Sequence, residues 1–149
     1  MKTILLPTDY SKNAWNAIFT ALKLFYDQQC KFVLLHTYEP ELSHVFGGEG
    51  RESMGSIYAS LEEDSNARMK ELMDYLREHH ANPRHSFQAV VRPGNLIGEV
   101  RSRMKKHPVD LIVMGTHRKG VAHTFLGSVS KRVMSNTRIP VLVVPLPKQ

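Results

Sequence analysis

The stretch TILLPTDYSKNAWNAIFTALKLFYDQQ, residues 3–29, decides the fold. Its first five residues have the apolar, β-favouring character of a buried strand. The part that follows carries apolar side chains, among them Ile18 and Leu22, at helical spacing, and Ser11 stands where a helix N-cap belongs. The stretch therefore predicts a strand followed directly by a helix that continues to residue 29.

The same alternation recurs along the rest of the chain. Further strands are predicted in KFVLLHTY (31–38), SFQAVVR (86–92), DLIVMG (110–115) and IPVLVVP (139–145), and helices in SIYASLEEDSNARMKELMDYLREHH (56–80), NLIGEVRSRMKKH (95–107) and GSVSKRVMSN (127–136). Strands rich in Val, Ile and Leu that alternate with helices indicate a parallel sheet covered on both faces and built with right-handed crossovers. We therefore predict a doubly wound α/β fold in a single domain spanning residues 1–149.

Composition argues against several classes of protein. With 42% hydrophobic and 23% charged residues, the chain is typical of a globular domain, and no segment has the apolar length of a signal peptide or a membrane span. Cys30 is the only cysteine, which excludes an internal disulfide and fits a reducing compartment. We therefore predict a cytoplasmic protein without a membrane partner.

The formal charge of +6 attracts polyanions. The positive residues are dispersed along the chain, however, and do not form one dense stripe interleaved with aromatic residues. The charge therefore does not indicate a nucleic acid partner.

Ligands of doubly wound sheets bind outside the carboxyl ends of the strands, where the strand order reverses. Asp9 follows the first strand directly, and its carboxylate suits a ribose hydroxyl or an adenine amino group. The alternative is that the same carboxylate only stabilises the turn into the first helix. Asp110 precedes the fourth strand, so we expect it at the opposite end of the sheet.

A second candidate stretch, GTHRKGVAHTFLGS (115–128), follows the fourth strand and ends at Gly127-Ser128, directly before a helix. A helix amino terminus offers unpaired N–H donors and a positive dipole end to phosphate. Ser128 and Ser130 add hydroxyl groups, and Arg118 adds charge. Each residue also has a structural explanation, as an N-cap or a turn glycine, but the clustering favours a phosphate site.

Three stretches together resemble the universal stress protein family over essentially the whole chain. They are ILLPTDYS (4–11), LLHTY (34–38) and DLIVMGTHRKGVAHTFLGSVSKRV with the later IPVLVVP (110–145). The resemblance implies a Rossmann-like, adenine nucleotide alpha hydrolase-like fold with a five-stranded parallel sheet in the order 3-2-1-4-5 and helices on both faces. It also makes the first and fourth strands neighbours, so that Asp9 lies beside the loop that begins at Gly115.

The last strand predicts a homodimer. Its VLVV core lies between Pro140 and Pro145 and would form an unprotected apolar edge if it were outermost in the sheet. The family that the chain resembles commonly dimerises through this strand. We therefore predict that two copies pair through the strand between Pro140 and Pro145.

The resemblance further implies a set of nucleotide contacts. Asp9 would contact ribose, Thr37 would meet adenine through its backbone, and the start of the last helix would cradle the outer phosphates. The full predicted set is Pro7, Thr8, Asp9, Thr37, Met114, Gly115, Arg118, Gly120, Gly127, Ser128, Val129 and Ser130. The predicted ligand is ATP or a related adenine nucleotide, with Mg²⁺ as a further candidate that Asp9 would contact indirectly.

The sequence departs from the family's Gly-x2-Gly-x9-Gly-Ser/Thr signature. Arg118 occupies the position of the second glycine, and the remaining spacing is one residue short, with Gly120 in the nearby RKG run. An arginine there either obstructs a phosphate or neutralises it. Thr37 replaces a residue that is usually apolar, so adenine recognition is also altered.

Three functions are compatible with these residues. The leading prediction is a homodimeric stress-response module or switch that binds an adenine nucleotide, with the glycine-rich loop between residues 39 and 55 ordering on binding. The alternatives are a nucleotide-free dimeric interaction protein whose pocket the shortened loop closes, and a slow ATPase or autophosphorylating protein modified at Ser128 or Ser130. We predict no catalytic residues and no metal site, because no positioned base and no carboxylate set for a metal are evident.

Overall fold

The computed structural model describes residues 1–40, 53–116 and 128–147. Its elements in chain order are β1 (Lys2–Pro7), α1 (Lys12–Leu24), β2 (Cys30–Tyr38), α2 (Met54–His79), β3 (His85–Pro93), α3 (Leu96–Lys106), β4 (Leu111–Gly115), α4 (Ser128–Ser135) and β5 (Val141–Val144). The strands form one parallel sheet in the order β3-β2-β1-β4-β5. The predicted α/β class, strand order and pairing of the first and fourth strands are confirmed.

The sheet separates two apolar cores. Along β1, Ile4 and Leu6 are buried against α1 and α2, whereas Leu5 is buried on the opposite face with residues of α3 and α4. Successive side chains of a strand point to opposite faces, so a strand covered on both sides needs an apolar residue at every position. This explains the near-continuous apolar runs in the sequence.

The first helix begins as predicted but ends earlier. The Ser11 side chain accepts a hydrogen bond from the Ala14 amide at 3.2 Å and caps the helix. The predicted continuation to residue 29 is wrong, because α1 stops at Leu24 and the Phe25 amide turns back to the carbonyls of Ala21 and Lys23. The following residues form the turn into β2.

The third helix buries an unexpected side chain. The apolar residues of α3 at helical spacing are Leu96, Val100 and Met104, but the residues that the helix buries are Val100 and Arg103, while Leu96 and Met104 are half-buried. A long arginine stem covers apolar surface well. Helical spacing therefore identified the buried face but not the residue type.

The amino end of the sheet is closed by hydrogen bonds within the chain. The Thr3 amide donates to Asp110 Oδ2 at 2.7 Å, and the Asp110 amide donates to the Thr3 carbonyl at 2.8 Å. The Cys30 amide donates to the Arg84 carbonyl at 3.0 Å across the neighbouring pair of strand starts. The position predicted for Asp110, opposite the candidate site, is confirmed.

The sheet has two edges, β3 and β5. The position of the last strand at an edge agrees with the sequence prediction, and Val141, Leu142 and Val143 are each partly exposed there. None of the helices in the described ranges is long and apolar enough to cross a membrane.

Candidate functional site

A cavity of about 210 Å³ opens at the carboxyl ends of β1, β2 and β4. β1 lies between the other two strands, so the strand order reverses at this point, where doubly wound sheets place their ligands. The lining residues are Pro7, Thr8, Asp9, Ser11, Asn13, Ala14, Leu35, His36, Thr37, Leu96, Met114, Gly115 and Val129.

Most of the predicted site residues that the structure describes meet in this cavity. Seven of them line it, namely Pro7, Thr8, Asp9, Thr37, Met114, Gly115 and Val129. Ser128 and Ser130 are described but are not among the lining residues. Arg118, Gly120 and Gly127, together with residues 41–52 of the predicted ordering loop, lie outside the described residues.

Asp9 organises the turn between β1 and α1. Its Oδ1 accepts a hydrogen bond from the Ser11 amide at 2.9 Å, and the Tyr10 amide donates to Thr8 Oγ1 at 3.0 Å. Side chains that bond to amides two residues ahead reproduce the geometry of a backbone turn. Asp9 thus stabilises the turn into the first helix, as the structural alternative in the sequence analysis proposed. The same exposed residue also lines the cavity.

Tyr10 fixes this turn against α2. Its φ of 65° lies in the left-handed region, which costs energy for a residue with a bulky side chain. The tyrosine hydroxyl donates to the Ser65 carbonyl at 3.0 Å, and the Arg68 guanidinium lies 5.7 Å from the ring centroid. Burial raises the pKa of Tyr10 to about 12, a shift that the Arg68 charge opposes and the Asp64 charge reinforces.

His36 holds the other side of the turn. Its Nδ1 lies 2.8 Å from the Thr8 carbonyl, and its ring is 4.5 Å from the Tyr10 ring, centroid to centroid. A carbonyl oxygen only accepts, so Nδ1 carries the proton in this contact. The Thr8 amide in turn donates to the Leu35 carbonyl at 2.8 Å. The turn that carries Asp9 is therefore attached to both β2 and α2.

Close packing explains why residue 115 is a glycine, and the sequence alone did not indicate this. A Cβ at this position would come within 2.6 Å of the Asn13 carbonyl oxygen and 2.9 Å of its carbon. The Asn13 side-chain amide also donates to the Thr116 carbonyl. The first turn of α1 thus rests directly on the end of β4, and only glycine permits so close an approach.

The start of α4 also contributes to the cavity wall. Val129 lines the cavity and is 37% exposed, and Ser128 is exposed at the first position of the helix. Ser130 is buried, and its hydroxyl donates to the Gly115 carbonyl at 3.4 Å. Ser130 therefore joins α4 to the end of β4 through its side chain.

The walls are largely apolar, and their charge is low. Among the lining residues that the structure describes, Asp9 is the one carboxylate and none is Lys or Arg. The described parts of the chain contain no group of three or more His, Cys, Asp or Glu side chains placed to hold a metal ion. The arrangement suits a planar apolar group beside a polar one, since a few oriented polar atoms on an apolar surface are typical of small-molecule sites.

Sequence reasoning missed several lining residues, including Asn13, His36 and Leu96. Asn13 belongs to the first turn of α1, and Leu96 opens α3 after the Asn95 cap. Each of these helices begins just after the carboxyl end of a strand, so its first turn necessarily lies at the cavity edge of the sheet. That positional rule would have found Asn13 and Leu96 in the sequence.

The chain is similar to known proteins over nearly its whole length. The model of the Universal stress protein family matches residues 1–145. Universal stress protein MJ0531 of Methanocaldococcus jannaschii is 31% identical over 149 residues, which cover 99% of this chain and 84% of that protein.

Solved structures show the same fold. The structure of hypothetical protein MJ0577 superposes with a TM-score of 0.78 at 25% identity and covers 99% of this chain and 98% of its own. A universal stress protein family protein from Arabidopsis thaliana with AMP bound has a TM-score of 0.65 at 14% identity, covering 99% and 93% of the two chains. A universal stress protein in complex with cAMP also has a TM-score of 0.65, at 18% identity, covering 98% of each chain.

Proposed function

Because the chain belongs to the universal stress protein family, we propose that it is a stress-response module that binds ATP or a related adenine nucleotide in the cavity between Asp9 and Gly115. It acts as a cytoplasmic homodimer, and nucleotide occupancy, with at most slow hydrolysis, carries its signal. The bound AMP and cAMP of two proteins with the same fold support an adenine nucleotide as the ligand class.

One observation carries the proposal. The acidic turn after β1 and the close-packed end of β4, which come from opposite ends of the sequence, line one cavity at the reversal of strand order. The apolar surfaces of Leu35, Leu96 and Met114 suit a base, and the Asp9 carboxylate suits a ribose hydroxyl.

The size of the cavity indicates which part of the ligand the described walls hold. Its volume of about 210 Å³ is below the roughly 300–1,000 Å³ of ligand pockets. We therefore assign the base and ribose to the described walls. The phosphates are assigned to the side of the cavity next to α4, where the helix amino terminus favours an anion.

The described lining groups favour binding over turnover. In-line attack on a phosphate needs a positioned base and normally a metal held by carboxylates. Asp9 is the one carboxylate among the described lining residues, and its Oδ1 already accepts from the Ser11 amide. We infer that Mg²⁺, when present, arrives with the nucleotide and contacts Asp9 indirectly.

The dimer is proposed to form through β5. This edge strand leaves Val141, Leu142 and Val143 partly exposed, and pairing with a second copy would cover them. We expect Val143→Lys to shift the chain from dimer to monomer in sedimentation velocity, with Ala89→Lys on the opposite edge as the matched control. A monomeric wild-type chain at all concentrations would refute this part of the proposal.

Calorimetric titration tests the ligand. Protein freed of nucleotide would be titrated with ATP, ADP, AMP and cAMP, each with and without Mg²⁺, and with GTP as the control for the base. We expect saturable binding of adenine nucleotides at a stoichiometry of one per chain. The absence of heat and of any rise in melting temperature with all four would favour the nucleotide-free interaction protein, and phosphate release above the blank would favour the slow ATPase.

A further inference from the structure

The strand β3 forms one edge of the sheet, two positions from β1, and its outer side is open. It pairs with β2 along all nine residues from His85 to Pro93, and no other strand among the described residues pairs with it. At about 3.3 Å per residue the strand extends roughly 30 Å. Its outer side therefore offers main-chain donors and acceptors along a length comparable to that of β2.

The middle of this strand lacks the features that usually prevent edge pairing. Residues 86–91, SFQAVV, contain neither a charge nor a proline, and Ser86 and Ala89 are exposed. Natural sheets protect such edges with lysine, proline, bulges or a covering element, since an open apolar edge recruits other chains. An edge of this composition is expected to have a partner.

One face of the edge adjoins a groove. The groove has a volume of about 530 Å³ and runs between α2 and β3. Its lining combines apolar side chains, among them Met73, Ala89 and Val91, with charged side chains of both signs, among them Lys70, Asp74 and Arg92. An added strand presents every second side chain to this face, where apolar side chains would lie against Ala89 and Val91 and polar ones would face the charged residues.

The other face of the edge contains two polar atoms without partners. Gln88 Oε1 and Arg103 Nε are buried and make no hydrogen bond within the described part of the chain. Arg103 is only 8% exposed. Gln88 stands two residues before Val90, and Val90 shares a core cluster with Val100 of α3. A buried donor and acceptor left unpaired are costly, but both atoms are enclosed by the chain's own residues, so this face is not the docking surface.

The charges along the edge select the kind of partner. Arg84 precedes its first residue and Arg92 lies near its end; both are exposed, and Arg92 Nε lies 4.0 Å from Glu99 Oε1 at the margin of an ion pair. A second copy paired antiparallel about the strand centre would bring Arg92 of each chain close to Arg84 of the other, so like charges would meet at both ends. Acidic residues at the two ends of a partner strand would meet these positive residues instead.

We propose that the outer edge of β3 docks an extended segment of a partner protein that has an uncharged, β-favouring centre and acidic residues at both ends. The segment adds a sixth strand to the sheet and lays alternate side chains in the groove beside α2. This interaction surface is separate from the nucleotide cavity and from the β5 edge.

Two synthetic peptides test the proposal on the full chain. One is Glu-Val-Thr-Val-Thr-Val-Thr-Glu with blocked termini and a fluorophore, and the other replaces both glutamates by lysine. We expect the acidic-ended peptide to bind at least about fivefold more tightly in fluorescence anisotropy, because two exposed ion pairs are exchanged for two repulsions. Hydrogen exchange should show new protection in β3 when this peptide is bound.

Two variants distinguish peptide binding at the groove from a general effect of added surface charge. Ala89→Glu places a charge in the groove and should weaken the acidic-ended peptide at least about tenfold. Ala81→Glu, at an exposed position after α2, should leave the affinity unchanged. Equal binding of the two peptides, no binding of either, or full protection of the β3 amides in the unbound chain would overturn the proposal. A dimer that Ala89→Glu dissociates would identify a second copy as the occupant and would also overturn it.

Discussion

The two ends of the sheet are built from the same strands but treat their polar groups differently. At the amino end, Asp110 is joined to Thr3 by two hydrogen bonds, one from each amide. At the carboxyl end, Asp9 also accepts a backbone amide, that of Ser11, but it does so on the wall of a cavity. The same residue type therefore closes the sheet at one end and lines an opening at the other.

The difference arises from chain direction. In a parallel sheet every helix begins beyond the carboxyl ends of the strands, so helix amino termini, turns and unpaired donors gather at that end. At the amino end the chain arrives from helix carboxyl termini and pairs with itself through short turns. Mutations at the two ends of the sheet should therefore have different consequences.

Gly115→Ala should disrupt the carboxyl end most strongly. The added methyl group would lie 2.6 Å from the Asn13 carbonyl oxygen, and because the neighbour is backbone, α1 must move away from β4. We expect a loss of about 2–3 kcal/mol in the free energy of unfolding, measured by urea denaturation, with nucleotide binding lost as well.

Gly55→Ala is the matched control. In the first turn of α2 the nearest atom to an added Cβ is Ser53 Oγ at 3.9 Å, an ordinary contact. Alanine also favours a helix over glycine by up to about 1 kcal/mol, so this variant should be at least as stable as the wild type. Equal stability of the two variants would show that the close packing at Gly115 does not constrain the residue.

Asp9→Asn separates turn formation from ligand binding at the same position. Asparagine keeps a side-chain oxygen for the Ser11 amide, so stability should be preserved, but the charge offered to a ribose hydroxyl is lost. We expect adenine nucleotide affinity to fall about tenfold in calorimetric titration. Asp27→Asn, at an exposed position after α1, is the control, and equal affinities of the two variants would remove Asp9 from the site.

Asp110→Ala tests the closed end. It removes the acceptor of the Thr3 amide, and we expect a loss of about 1 kcal/mol in the free energy of unfolding with nucleotide affinity unchanged. Thermal denaturation and titration of the same preparation give both numbers. A fall in nucleotide affinity without a fall in stability would contradict the conclusion that the amino end stabilises the fold and the carboxyl end binds the ligand.

Much of this contrast is predictable from the sequence. The apolar runs and helical spacing give the class, and the rule for doubly wound sheets places Asp9 and Asp110 at opposite ends. Helix ends are less predictable, because the apolar period of α1 continues through Phe25 although the backbone has already turned. The burial of Arg103 is also hard to predict, because its position in the helix is that of a core residue but its side chain is charged.

The parts of the site that escaped prediction depend on tertiary contacts. Nothing local indicates that Tyr10 takes a left-handed conformation. The residues that hold this turn are distant in sequence, since Ser65 lies 55 residues from Tyr10 and His36 lies 28 residues from Thr8. The family resemblance places Gly115 among the nucleotide contacts, whereas the closest constraint on it within the fold is the backbone of Asn13. Sequence patterns thus located the site, but side-chain partners across the fold determine its shape.

Tyr10→Phe should have the smallest effect on stability near neutral pH. Its difference from the wild type should be clearest at high pH. Near neutral pH the variant loses only the hydrogen bond to the Ser65 carbonyl, for which we expect about 0.5–1 kcal/mol. Burial raises the pKa of Tyr10 from 10.0 to about 12, so between these values the unfolded chain has released the proton while the folded chain keeps it. Wild-type stability should therefore fall as the pH rises from 10 towards 12, and the Phe variant should show a shallower fall. Absorbance titration of phenolate checks the cause directly, because the variant, which keeps four of the five tyrosines, should lack the group with the highest midpoint. If the group that it lacks titrates near 10.0 instead, Tyr10 ionises like an exposed tyrosine and does not anchor the Asp9 turn to α2.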